Sequence, residues 1–415
     1  MTDLLSNTWC EKQFEYYLVR GKKRTTPAMR KGTKIHKKLE KEVHETVPVK
    51  VISPEDRWGL KLLNIIQGLR TLRELGMTRE LPVFATVKGM FVQGVIDEIS
   101  YEKPVECINV VGGSSTEEQS SEVEVKPKRK GRKKKEEKIE KEQSLVTDFM
   151  SSSQSTNPRD KPRIAHISDY KTRLAASLPP ITQFRSTELQ LMLYHYLLTS
   201  MASSVDAATQ LYPRPGEGPL TNAPTPVNNL FSQLFEARNL KPYAPFSDDF
   251  LAQMVPLLDE SDSEADSDCP QLSSHVIKFP TVSNLLANPT LSGLLHLLSV
   301  SFSLSIPTLS RTLAVSYRWQ KDSSLLATKV VEYDDQRLEN HLVDVLQWWQ
   351  GQRETVGVPI EEAWKCRSCD FADECEWRLG KIDELKVEKE VEKEKNIGKG
   401  KGKGRGKGKG KERAV

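Results

Sequence analysis

The cysteines of this 415-residue chain divide between its two ends. Cys10 stands alone near the start, while Cys366, Cys369 and Cys375 form a C-x2-C-x5-C cluster near the finish. Thiolates grouped in this way, with one remote partner and no histidine among them, match the all-cysteine ligation that iron–sulfur clusters prefer and zinc also accepts. A soft metal centre on these four residues would tie the termini together, so the fold must return Cys10 to the later cluster. The entropy of closing so long a loop rises only slowly with its length. Metal–thiolate bonds offset it, which suits a structural rather than a redox centre. Cys107 and Cys269 fit no ligand spacing and are expected as a strand residue and a loop thiol.

Six cysteines in a chain of this length do not make a secreted disulfide framework, and no signal peptide or membrane-spanning apolar run is evident. A soluble, intracellular protein is expected, with no membrane partner. Its net charge of +4 matters less than the uneven distribution. From Gly112 to about Pro162 the chain passes through Ser/Glu-rich sequence and the basic block Lys126–Lys135, with little to bury. This stretch is expected as a disordered excursion between two strands. Asp259–Asp268 reads as a solvated acidic loop, and 381–415 as a disordered tail ending in Gly-Lys repeats that can hold phosphates without reading sequence. The remainder, within 1–380, is expected to form one domain.

Periodicity divides that remainder. Pro27–Val43 and Pro54–Leu75 carry apolar residues at helical spacing. Leu81–Ser100 reads as a hairpin whose strands, Pro82–Val87 and Met90–Ser100, meet at Lys88-Gly89. A third strand spans Ile164–Thr172 and an apolar helix Thr187–Met201. A strand pair follows at Leu313–Trp319 and Leu325–Tyr333, then a closing helix over Asp335–Gln352. The order is that of an α/β fold.

Chemistry concentrates on these elements. Gly94-Val-Ile-Asp97 ends near one strand terminus, and Asp169-Tyr-Lys171 near another. If those strands are neighbours, Asp97 and Asp169 can hold one divalent cation such as Mg2+ beside a phosphodiester. Lys171 shares a strand face with Asp169 and can orient water or stabilise charge. His36 and Glu40 lie one turn apart on the first helix, as do Gln190 and Tyr194 on a later one. A lone D-x-K triplet also arises on ordinary surface strands, and such histidines and glutamines often only pack.

Their order resembles the RecB-type branch of the PD-(D/E)xK nucleases, and most closely the exonuclease V family. The resembling blocks are Trp9-Cys10-Glu11 with Gln13-Phe14, Gly32 to Glu40, Gly94 to Glu98, Ile167 to Arg173, Gln190 to Tyr194, Trp349 to Arg353, and Lys365 to Arg378 with its three cysteines. The resemblance implies a restriction-endonuclease-like core, a mixed sheet flanked by helices. It also implies a [4Fe-4S] cluster on Cys10, Cys366, Cys369 and Cys375. The implied activity is Mg2+-dependent exonuclease action on single-stranded DNA in repair or genome maintenance, by a monomer. By position it assigns metal binding to Asp97 and Asp169 with help from His36, catalysis to Lys171, and active-site support to Gln190 and Tyr194. The long insertion and the Gly-Lys tail are not part of that family core. Only Met1 to Thr8 precede Trp9, so a mitochondrial presequence would have to lie upstream, whereas Lys126–Lys135 could be a nuclear address, a DNA-holding arm or a solvated charge run. Another nuclease of the same superfamily, or a non-catalytic nucleic-acid-binding protein that keeps the metal cluster, are the competing readings.

Overall fold

The computed structural model describes residues 2–5, 10–21, 25–43, 47–108, 163–179, 181–214, 229–258, 279 and 281–401. Trp9, Cys269 and the stretches 112–162, 259–268 and 402–415 lie outside the described residues. Two helices, α1 (Thr2–Leu5) and α2 (Glu11–Arg20), precede α3 (Pro27–Lys41), which starts where the Thr26 hydroxyl accepts from the Met29 amide and Pro27 presets the first turn. Helix α4 (Pro54–Leu75) opens with a reciprocal capping box between Ser53 and Asp56. Its inner face, including Leu62, Ile65, Ile66, Leu69 and Leu72, is buried.

The chain then enters the hairpin of β1 (Met77–Val87) and β2 (Met90–Ser100). Lys88 and Gly89 have φ of 49° and 82°, the left-handed pair that a tight two-residue turn requires. After β3 (Cys107–Ile108) come β4 (Ile164–Arg173) and five helices, α5 (Ile181–Leu211), α6 (Leu230–Ala237), α7 (Asp248–Leu258), α8 (Val282–Ala287) and α9 (Leu291–Ser305). Strands β5 (Thr308–Leu309), β6 (Thr312–Trp319) and β7 (Leu325–Glu332) follow, then α10 (Asp335–Trp349), a 3₁₀ segment over Ile360–Ser368 and α11 (Glu376–Lys401).

Among the described residues, seven strands form one mixed sheet in the order β1-β2-β4-β6-β7-β3, with β5 pairing to β4 off that path. β4 runs parallel to β6 and β5, and the other pairs are antiparallel. The pairing that matters most is β2 with β4, where Glu98 faces Ser168 and Ile99 faces Ile167. It sets Asp97 and Asp169 on adjacent strands. Helices α4, α5 and α9 pack together and against β1, burying Leu191, Leu197, Leu198, Leu294 and Leu298. Each such side chain contributes roughly 1.5–3 kcal/mol over its exposed state. Among the described residues no helix is long and apolar enough to cross a membrane.

The mixed α/β sheet flanked by helices agrees with the expected class, and Cys107 does lie in a strand, β3. Boundaries differ. β1 begins at Met77, four residues before the expected hairpin, and α5 extends well beyond Thr187–Met201 in both directions. The helices α6 to α9 have no counterpart in the sequence reading. α9 in particular buries Ser292, Ser301 and Ser305 among its leucines, so its sequence lacks the clean apolar stripe that marks an amphipathic helix. The expected tail begins instead as α11 through Lys401, where Lys381 pairs with Glu384 at 2.6 Å and Lys386 with Asp383 at 2.8 Å. Pairs three residues apart support such a helix, although each contributes only a few tenths of a kcal/mol.

Candidate active site and cysteine centre

Six residues separated in sequence meet at one end of the β2–β4 pair. Asp169 is fully buried on β4, and Lys171, two residues on, shares its face. The Lys171 ammonium lies 2.8 Å from Asp169 Oδ2, but its hydrogen bond runs to Oδ1 at 3.2 Å. Oδ2 is thus in ionic contact without a directed hydrogen bond. Lys171 also donates to Gln190 Oε1 at 2.9 Å, while Gln190 Nε2 donates to Asp169 Oδ1 at 3.2 Å and to the Tyr194 hydroxyl at 3.0 Å. The single turn of α5 between Gln190 and Tyr194 therefore locks the Asp169–Lys171 pair from above.

Asp97 accepts from the Tyr170 amide at 2.9 Å, which fixes one carboxylate oxygen across the two strands. His36 reaches the same oxygen from α3, at 3.8 Å. This approach depends on Gly32, because a Cβ there would stand 2.9 Å from Thr172 Oγ1 on β4. One helical turn later, His36 is held over the strand end.

The structure adds Glu80, which the sequence reading missed. In the β1–β2 register Arg79 faces Glu98 and Leu81 faces Ile96, so Glu80 stands opposite Asp97. Its φ is 51°, a rarely adopted left-handed value for a residue with a side chain. Ligand atoms of His36, Glu80 and Asp97 all lie within 4.8 Å of one another. The only sequence signal was a charged pair, Arg79-Glu80, leading into an apolar strand.

Burial governs the electrostatics. Desolvation pushes the Asp169 carboxyl up to about 7, opposed by Lys171 and reinforced by Asp97. Burial also raises Asp97, against the Tyr170 amide, and raises Glu80, with the Glu40 carboxylate adding to the effect. It holds His36 below its ordinary value, in the neutral form that can ligate a cation. Three neighbouring carboxyls that burial makes less acidic, beside an imidazole held toward its neutral form, are a donor set that fits a hard cation.

A pH-dependent stability follows. The Asp169 pKa is raised on folding, so the folded state holds its proton longer than the unfolded chain. The group costs nothing below about pH 4, and stability is lost as pH rises toward 7. In chelator, Asp169→Asn is expected to melt higher than wild type at pH 8, by a difference on the order of a few kcal/mol, and to match it near pH 4. Equal melting temperatures at both pH values would show that the carboxylate is not strained by burial.

The second centre lies at the termini. Cys10, Cys366, Cys369 and Cys375 line one small cavity with Gln13, Tyr16 and Trp377, and all four are free thiols. Gln13 Nε2 donates to Cys369 Sγ at 3.4 Å. Burial raises the Cys10 and Cys366 thiols, and the neighbouring cysteines add to this, so thiolates here would repel one another unless a cation joined them. Arg353 forks onto the buried Glu11 carboxylate, with Nη1 at 2.7 Å from Oε2, and Glu11 accepts the Val356 amide at 3.0 Å. Phe371 packs against Tyr16 and Tyr17. Helix α2 and the segment 353–378 thus meet around the thiols.

A sequence model of exonuclease V, described as a 5′ deoxyribonuclease, matches residues 1–378. The match places the chain among the nucleases. More narrowly, it belongs to the exonuclease V family. It is similar to exonuclease V of the zebrafish Danio rerio, with 25% identity over 386 residues, covering 92% of this chain and 71% of the relative. It is also similar to the mitochondrial exonuclease V of Candida albicans (strain WO-1), 29% identical over 103 residues, and to that of Candida dubliniensis, 31% identical over 103 residues. Each of those matches covers 25% of this chain and 16% of the yeast protein.

Proposed function

We propose that this chain is a Mg2+-dependent exonuclease acting on single-stranded DNA in repair or genome maintenance, with a PD-(D/E)xK core and a [4Fe-4S] cluster joining its ends. The observation that carries the reading is the Lys171 ammonium held between the Asp169 carboxylate and the Gln190 amide, beside Asp97 and His36. The donor atoms that converge are those of His36, Glu80 and Asp97, a set that suits a hard divalent cation, and Asp169 on the adjacent strand is proposed to complete it. When bound there, the cation supplies counter-charge for the scissile phosphate and makes nearby water more acidic. Lys171 Nζ, oriented by Gln190, donates toward the attacked phosphate or its water. Tyr194 fixes Gln190, and the Tyr170 amide keeps Asp97 turned toward β4. Buried carboxylates favour a flexible single strand, whose phosphate can enter more deeply than that of a rigid duplex.

The four thiols of the cysteine cavity would hold the cluster, which supplies a rigid cross-link between α2 and the C-terminal segment. The names of the yeast relatives support a mitochondrial site of action, the basic block Lys126–Lys135 is a candidate nuclear address, and the protein is proposed to act as a monomer. The test is cleavage of end-labelled single-stranded DNA by anaerobically purified protein, in Mg2+ or EDTA, wild type against Asp169→Ala. Shortening only with Mg2+ and only with Asp169 is expected, from a brown protein. A colourless protein that binds DNA without cutting it would leave a non-catalytic binding module and end the nuclease reading.

A further inference from the structure

A second polar cleft, of about 770 Å³, opens at the opposite end of β4 from Lys171. Arg73, Tyr101, Lys103, Arg163, His166 and Ser310 line it. His166 precedes Asp169 by three residues, so strand alternation turns it to the other face of the sheet, roughly 10 Å along the strand. The cleft is therefore separate from the carboxylate site.

Its three cations come from three places: the last turn of α4, the connection after β2, and the residue before β4. Among the described residues none of them pairs with a carboxylate; Glu74, which also lines the cleft, is held by Arg70 at 2.8 Å. Arg73 Nη1 donates to the Leu304 carbonyl at 2.6 Å, and Arg163 Nη1 donates to the Arg73 carbonyl at 2.9 Å. The Arg163 guanidinium also lies over the Tyr101 ring, 5.3 Å from its centroid, while the Tyr101 hydroxyl donates to the Ser305 carbonyl at 2.7 Å. A guanidinium carries five N–H donors, so these anchors fix both arginines and leave donors for a ligand. His166 is only 6% exposed, its ring lies near the Thr312 backbone, and its Nδ1 makes no hydrogen bond. One fork satisfies a planar carboxylate, whereas cations converging from three directions suit a tetrahedral anion.

We propose that this cleft binds a phosphate group of nucleic acid, either a phosphodiester of the bound strand or the phosphate of a free nucleoside monophosphate. The proposal rests on the nuclease reading for the source of the phosphate, not for the site. The test uses the full chain carrying Lys103→Gln with Arg163→Gln, since glutamine can still donate to the Arg73 carbonyl. Lys103→Gln alone, which disturbs no helix-end hydrogen bond, serves should the double variant fail to fold. Binding of a labelled oligothymidylate is followed by anisotropy in EDTA over a salt series, and binding of thymidine monophosphate by calorimetry.

The expected result is DNA affinity lowered on the order of tenfold by the double variant, with a salt slope shallower by about 0.7 for each phosphate that is no longer neutralised. Thymidine monophosphate binding that disappears in the variants while DNA affinity stays constant would equally support the site and name the free nucleotide as its ligand. Unchanged affinity for both ligands, with or without a lower melting temperature, would overturn the proposal and reduce the arginines to helix-end caps. The nuclease reading is judged separately: wild type that binds phosphate here but never cleaves DNA leaves the cleft standing, and wild type that cleaves while the variants bind normally removes only the cleft.

Discussion

Lys171→Ala is expected to slow single-stranded DNA cleavage by a factor on the order of 10²–10³, the usual cost of removing one group that stabilises developing charge. DNA affinity in EDTA should change by less than about threefold, because single-strand affinity is spread over many phosphate contacts. The side chain sits 2.8 Å from a fully buried carboxylate oxygen, and Gln190 holds it in that position. Lys171 is also the largest influence lowering the Asp169 pKa, against desolvation. Its removal should raise that pKa further and move the acid limb of the rate profile to higher pH. Single-turnover rates from pH 6 to 9, with melting temperatures on the same samples, separate this from loss of folding. A variant that cuts at near wild-type rate would rule out the role given to Lys171.

The parts of this site that were legible in the sequence share one property. Each is set by spacing within a single regular element: Asp169 and Lys171 two apart on a strand, Gln190 and Tyr194 four apart on a helix, His36 one turn after Gly32. What brings them together is the β2–β4 pairing across residues 109–162, and the sequence supplied that only as a condition on neighbouring strands. Glu80 escaped because its backbone departs from strand geometry, and periodicity assumes regular geometry. Arg353 stood within a recognised block without a role. Its partner, Glu11, lies 342 residues away, and no local pattern encodes such a pair. The helices between α5 and β5 were lost for other reasons. α9 mixes serines into its buried face, which blurs the contrast that reveals a helix, and α6 and α8, at eight and six residues, are too short for a period to register.

Cys369→Ser is expected to abolish the visible absorption and iron content, to cut soluble yield, and to remove DNA binding along with them. Magnitude decides this. A structural metal–thiolate centre contributes ~10–16 kcal/mol in the zinc cases where it is known, against the ~5–15 kcal/mol that holds an ordinary domain together. The other ties between the termini are weaker. The Arg353 fork onto Glu11 is a partly buried ion pair whose desolvation offsets much of its attraction, and the packing of Phe371 on Tyr16 and Tyr17 adds about 0.5–1.5 kcal/mol per ring pair beyond burial. Arg353→Ala should therefore lower the melting temperature yet keep the iron. If instead Arg353→Ala and Cys369→Ser behave alike, both soluble and both active, the cysteines are not the clasp. Stoichiometric zinc in a colourless, active wild type would keep the clasp and change its metal, because the same four thiolates satisfy either.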